Sequence, residues 1–130
     1  LIKPNRSELA ATVGHDLEDE PALVGSMREV QQRGAERVVV TAGPQPALAL
    51  EGAKVWRISP PAITAVNPIG SGDSFTAGLV WRLLRGDELG EAVRWGAAAG
   101  AANALSAMPG ELELADVNRL AAQVLVEPLA

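Results

Sequence analysis

The 130 residues carry 11 Lys and Arg against 16 Asp and Glu, a net charge of −5, and 48% of them are hydrophobic. An acidic balance without a basic patch argues against a nucleic-acid partner, the apolar share fits a compact α/β piece with its own core, and the lack of cysteine excludes disulfides and thiolate metal sites. No apolar run approaches the roughly 18 residues of a membrane span and no basic segment with an apolar core opens the chain, so no membrane partner and a cytoplasmic location are expected.

In chain order, Leu1 to Lys3 reads as the end of a strand that Pro4 stops. Asn5 can cap a helix over Arg6 to Val13, and Glu8 stands where a capping box needs its acidic partner. Residues 14–20 form a polar, acidic connector whose His15, the one histidine, reads as a solvated surface residue. Pro21 suits a first helical turn, and Leu23, Val24, Met27 and Val30 make an amphipathic helix that Gly34 ends. Arg37-Val38-Val39-Val40-Thr41 is an unbroken β-branched run, the pattern of a strand buried on both faces in a parallel sheet. Residues 42–46 are expected to turn. Ala47 to Leu50 and Lys54 to Ile58 then form two strands joined by a hairpin at Glu51-Gly52. Ser59-Pro60-Pro61 is a rigid connector into a short strand over Ile63 to Val66.

The next stretch organises the chain: Asn67-Pro68-Ile69-Gly70-Ser71-Gly72-Asp73-Ser74-Phe75-Thr76-Ala77-Gly78. Pro68 and two glycines oppose regular structure before Asp73, while Phe75, Leu79 and Leu83 keep helical spacing, so a glycine loop runs into a helix start. Free N–H groups and a partial positive charge collect there. Glycines, able to take positive φ, let a phosphate approach those groups. A carboxylate beside an anion site suits a general base that deprotonates a nucleophile attacking phosphorus. A bare Gly-x-Gly-Asp also occurs as a plain turn with Asp as the cap. The helix from Phe75 is apolar nearly all round and is expected to be buried, with Trp81 in the core. A second, Ala-rich helix spans Glu88 to Ser106, with Gly96 and Gly100 on one face for close packing. Asn103 is the one polar residue in its small, apolar end. A loop at Met108-Pro109-Gly110 leads to a last amphipathic helix over Leu114 to Val126.

The string Asn67 to Gly78 resembles the signature of the PfkB-type carbohydrate kinases, the ribokinase-like family, and the resemblance extends from Lys3 to about Val126. It implies a three-layer α/β, Rossmann-like fold with a mainly parallel sheet between helices. It also implies that residues 1–130 are the C-terminal, nucleotide-binding half of a domain whose sugar-binding half and lid lie outside them. By the same resemblance Asp73 is the catalytic base, and Gly70, Ser71 and Gly72 form the anion hole. Asn5-x-x-Glu8 holds Mg2+ through water beside ATP, and Thr41, Gly43 and Asn103 meet the nucleotide. Pro46 stands where the family has a second glycine, a departure from the family pattern that leaves the local ATP contacts open, since proline has no N–H to donate. Lys3-Pro4-Asn5-x-x-Glu8-Leu9 resembles the branch acting on phosphorylated ketohexoses, of the 1-phosphofructokinase and tagatose-6-phosphate kinase type. ATP-dependent phosphorylation of a sugar phosphate is therefore implied, with a homodimer allowed for the whole enzyme. Two other readings stay open: a ribokinase-like kinase of a free sugar or nucleoside, and a nucleotide-binding module that no longer catalyses. No Gly-x-x-x-x-Gly-Lys is present, which excludes a P-loop NTPase.

Overall fold

The computed structural model describes residues 1–129. It divides into two compact units, Leu1–Arg57 with Pro128 and Leu129, and Ile58–Glu127.

The first unit begins with α1 (Arg6–Val13) and α2 (Glu20–Gln32). Both expected capping arrangements form. The Asn5 side chain accepts from the Glu8 N–H at 2.8 Å, and the Glu8 carboxylate accepts from the Asn5 N–H at 2.9 Å. Asp19 caps α2 by accepting from the Ala22 N–H at 2.8 Å. The sheet has the order β1-β2-β3-β4, with β1 at Arg37–Ala42, β2 at Gln45–Glu51, β3 at Lys54–Ser59 and β4 at Leu125–Leu129. Val38 and Val40 of β1, with Leu48 and Leu50 of β2, join Leu9, Leu23, Met27 and Val30 in one apolar core. Arg28 and Gln31 of α2 donate to the Gly52 carbonyl and so hold the β2–β3 turn against the helix.

The expected mainly parallel sheet is corrected here. β1 and β2 are antiparallel, in the register Val38 to Leu50 and Val40 to Leu48. Only Gly43-Pro44 separates β1 from β2, and only Gly52-Ala53 separates β2 from β3. A parallel connection needs a crossover of a dozen or so residues, so links this short leave only hairpins. Parallel pairing survives where the chain start runs along β1, in bridges of Ile2 to Val38 and Asn5 to Thr41. The continuous burial of Val38, Val39 and Val40 was the misleading sign: it reports that both faces are covered, not which way the neighbouring strand runs.

The second unit packs α3 (Ser71–Leu84) on α4 (Leu89–Leu105), with α5 (Leu114–Ala121) beside α4. Glycines set the closeness of α3 and α4. A Cβ at Gly78 would lie 2.8 Å from the Trp95 carbonyl oxygen, one at Gly96 would lie 2.9 Å from that of Phe75, and one at Gly100 would lie 3.1 Å from that of Ser71. The small-residue face of α4 thus serves helix packing.

Four further expectations change. No strand forms over Ile63 to Val66. After two prolines, the Val66 and Asn67 N–H groups instead donate to the Ala104 carbonyl at the end of α4, at 2.7 and 3.0 Å. α3 starts at Ser71, so Gly72 and Asp73 belong to its first turn. It is not buried all round, because Val80, Trp81 and Leu84 are exposed. The last helix stops at Ala121, and Leu125 onward enters β4. Pro128 opposes a continued helix there and is tolerated in β4 because β4 is an end strand of the sheet order.

Candidate active site

In the second unit the glycine loop is fastened from behind. Asn67 makes a local turn, its Oδ1 accepting from the Ile69 N–H at 3.0 Å, while its Nδ2 donates to the Ala107 carbonyl at 3.1 Å. Gly70 then takes φ +84°, a left-handed angle that favours glycine, and a Cβ there would press to 3.2 Å from that of Pro109. Gly72 has no such constraint: its φ is not positive, and a Cβ would meet nothing within 4 Å. The requirement for positive φ falls on Gly70 alone.

Gly70 is the N-cap of α3 and no side chain closes the first turn. The Ser71 N–H is already engaged, donating to the Pro68 carbonyl at 3.1 Å. Of the expected anion-hole amides, Gly70 and Gly72 are left without a partner among the described residues, and Asp73 adds its own. Three amides at the positive end of a 14-residue helix can stabilise an anion.

Asp73 is exposed and borders a cavity of about 630 Å³. Gly70 and Asp73 line it, and Ala77, Trp81, Leu112 and Val117 supply apolar wall. Trp81 is a wall residue that the sequence reading put in the core. The signal was present, since Asp73, Ala77 and Trp81 follow i, i+4, i+8 spacing and share a helix face. The Trp81 ring meets Trp95 edge-on at 5.8 Å, and the Arg82 guanidinium lies over the Trp95 ring at 4.4 Å.

Asn103 has no exposed surface. Its Nδ2 donates to the Ile69 carbonyl at 2.9 Å and to Ser71 Oγ at 3.1 Å, and its Oδ1 accepts from the Gly110 N–H at 2.7 Å. The structure thus brings Asn103 together with Gly70, Ser71, Gly72 and Asp73.

The remaining candidates lie in the first unit. Asn5 and Thr41 are bridge partners, and the Thr41 N–H donates to the Pro4 carbonyl at 3.2 Å. Glu8 is exposed, with one carboxylate oxygen used in the capping box. Gly43, at φ +58°, makes the β1–β2 turn. Pro46 is not part of that turn; it lies inside β2, where the register shifts between Val40 and Ala42. An irregular ladder has room for a residue without an N–H. Among the described residues no group of three or more His, Cys, Asp or Glu could hold a metal, and no helix is long and apolar enough to cross a membrane.

Among the described residues all five helices carry an acidic residue in the first turn: Glu8, Glu20, Asp73, Glu91 and Asp116. Glu8 bonds the Asn5 N–H, Glu20 pairs with Arg57, Glu91 with Arg94 and Asp116 with Arg119. The Asp73 carboxylate is the one without a hydrogen-bond or ion-pair partner among the described residues.

The start of α3 thus combines a glycine N-cap, an unengaged carboxylate in its first turn and a bordering cavity. The pfkB family carbohydrate kinase profile matches residues 1–113, and the chain belongs to that family. It is 36% identical over 107 residues to the ATP-dependent 6-phosphofructokinase isozyme 2 of Escherichia coli K12, covering 82% of this chain and 35% of that protein. It is 32% identical over 84 residues to the 1-phosphofructokinase of the same organism, covering 65% of this chain and 27% of that one. The crystal structure of phosphofructokinase-2 from Escherichia coli superposes with a TM-score of 0.86 at 32% identity, over 92% of this chain and 39% of that chain. The fold is accordingly that of the ribokinase-like kinases, and this chain spans about a third of the length of the relatives it matches.

Proposed function

We propose that the protein carrying this chain transfers the terminal phosphoryl group of ATP to a hydroxyl of a phosphorylated ketohexose. The observation that carries the reading is the unpartnered Asp73 carboxylate in the first turn of α3, beside amides that no side chain caps. Asp73 accepts the proton of the substrate hydroxyl as its oxygen attacks phosphorus. The Gly70, Gly72 and Asp73 amides face the negative charge that grows on the transferring group, and the α3 dipole adds to them. Both relatives are phosphofructokinases by name, one of them ATP-dependent, which supports a fructose phosphate as acceptor. The longer match is to the 6-phosphofructokinase, so the acceptor class includes fructose 6-phosphate beside fructose 1-phosphate and tagatose 6-phosphate.

Magnesium, when bound, neutralises phosphate charge, as in other phosphoryl-transfer sites. Glu8 fits a role through water. Its second carboxylate oxygen is not used by the capping box, and the described residues form no all-protein metal cage. Asn5 is committed to capping and would act by holding Glu8 in place. Thr41 and Gly43 belong to the same reading as nucleotide neighbours.

The test is Asp73→Asn in the protein carrying this chain, assayed with Mg-ATP and each ketohexose phosphate. Turnover falls about 10²–10⁴-fold, the range for removing a general base, while ATP binding by titration changes little. Turnover within a few-fold of wild type overturns the assignment.

A further inference from the structure

We propose that Asn103 is a positioning residue of this phosphoryl-transfer site, fixing the glycine loop from beneath without meeting the nucleotide. The proposal rests on the function proposed above and adds a residue to its site. Three observations carry it. First, Asn103 is fully buried, so its side chain offers a ligand no surface. Second, every polar atom of its carboxamide is engaged within the chain: Nδ2 with the Ile69 carbonyl and Ser71 Oγ, Oδ1 with the Gly110 N–H. The Ile69 carbonyl can only accept and the Gly110 N–H can only donate, so the partners themselves fix which way the amide faces. Third, the loop is pressed onto this amide. A Cβ at Gly70 would lie 3.6 Å from Asn103 Nδ2 and 3.7 Å from Oδ1, and one turn back on the same helix Gly100 brings α4 against the Ser71 carbonyl. One side chain therefore joins the residues on either side of Gly70 to the Pro109-Gly110 loop, which borders the same cavity as Asp73. The amides of Gly72 and Asp73 follow Ser71 directly, so their aim is set by where Asn103 holds it.

A positioning role and a nucleotide contact separate in kinetics. A displaced loop loses alignment of the reacting groups, and a shift of about 1 Å can cost about 10²-fold in turnover. A lost nucleotide contact raises KM for ATP and spares kcat. Asn103→Leu keeps the bulk and removes all three bonds. Asn103→Ser is the milder variant if the first does not fold, and circular dichroism decides which is assayed. The expected result is a 10–100-fold loss in kcat with KM for ATP within about threefold. Asn103→Asp adds a pH signature. Its carboxylate offers no donor to the Ile69 carbonyl, whereas its protonated form restores one O–H. Its kcat relative to wild type therefore rises as pH falls. In parallel, hydrogen exchange at the Gly110 amide speeds up by about tenfold in Asn103→Ser, the effect of losing one hydrogen bond.

A KM increase of tenfold or more with kcat retained would make Asn103 a nucleotide contact and overturn the proposal, as would wild-type kinetics. Asp73→Asn run alongside separates the two readings. If that variant keeps full turnover, the base assignment fails on its own, and Asn103 is then judged by the Gly110 amide. Faster exchange supports the clip, and unchanged exchange overturns it.

Discussion

The helix starts of the first unit and that of α3 in the second use the same residue class to opposite ends. In α1 and α2 the acidic side chain of the first turn is tied to the protein, Glu8 to the Asn5 N–H and Glu20 to Arg57. Asn5 and Asp19 cap the same two turns. Those helices close their own ends, as an isolated helix must. α3 leaves its first turn open, and its stability comes from its flank, where glycines let it lie directly against α4. A helix held by its side can leave its end to a ligand. Uncapped amides alone would not mark a site, since α4 and α5 also lack side-chain caps. The distinction of α3 is that its carboxylate is unengaged as well.

The largest effect comes from breaking the flank. In Gly96→Leu the new Cβ meets the Phe75 carbonyl oxygen at 2.9 Å, a backbone atom that cannot step aside by a rotamer change. A loss of about 3 kcal/mol or more is expected from overpacking of this kind, read as a fall in the chemical denaturation midpoint. Near-wild-type stability would show that the α3–α4 contact does not hold the helix. Next is Gly72→Ala, which tests the open end without touching the flank. Gly72 sits in the first turn with helical backbone and open space around it, so alanine raises helix stability by up to about 1 kcal/mol. In the proposed site the methyl group would stand where a phosphate comes close, and turnover is expected to fall about tenfold or more. Stability and activity thus move in opposite directions. Unchanged turnover would reduce the loop to a turn.

How much of this was legible in the sequence depends on the range of the interaction. Caps are local, and Asn5 with Glu8 could be read from four consecutive residues. The glycine signature announced a helix start for the same reason, although the start lies at Ser71 rather than beyond Asp73. Gly96 and Gly100 were legible as packing residues because their spacing puts them on one face. Strand direction was not legible from the Val38–Val40 run, because burial does not encode it; the two-residue links at Gly43-Pro44 and Gly52-Ala53 did, once read as hairpins. The partners of Asn103 come from Ile69, Ser71 and Gly110, of which the first two lie more than thirty positions away along the chain. No local pattern signals such contacts, and a polar residue in an apolar run was all the sequence could display. β4 was missed because Val124 continues the helical spacing of Leu114, Val117 and Leu120, so the periodic pattern runs up to the edge of the strand that starts at Leu125.

A smaller effect separates the two uses of Glu8. Glutamine at that position can still accept from the Asn5 N–H, so Glu8→Gln leaves the capping box and the thermal midpoint nearly unchanged. It removes the charge that would orient water around magnesium, and the concentration of Mg2+ for half-maximal rate rises about 10-fold or somewhat more, the usual effect of losing an outer-shell partner. If magnesium dependence stays the same, Glu8 is a cap and nothing else.

The smallest effect probes the contrast at α2. The Arg57 guanidinium, hydrogen-bonded to Glu20, holds that carboxyl below its ordinary value of 4.5, against a partial burial that raises it, and the charge of Arg57 adds in the same direction. A group with a lowered folded value stabilises the fold above its unfolded value, and the stabilisation is lost as pH falls through the folded one. Glu20→Gln should therefore be less stable than wild type at neutral pH, and the two should converge as pH drops below about 4.5. Both side chains are about one-third exposed, at 36% for Glu20 and 33% for Arg57, so solvent screens the pair and the neutral-pH difference stays within about 1 kcal/mol. The measurement is the urea midpoint of each protein between pH 3 and pH 7, roughly spanning the titration range of carboxylates. A gap that widens on acidification would contradict the assigned direction.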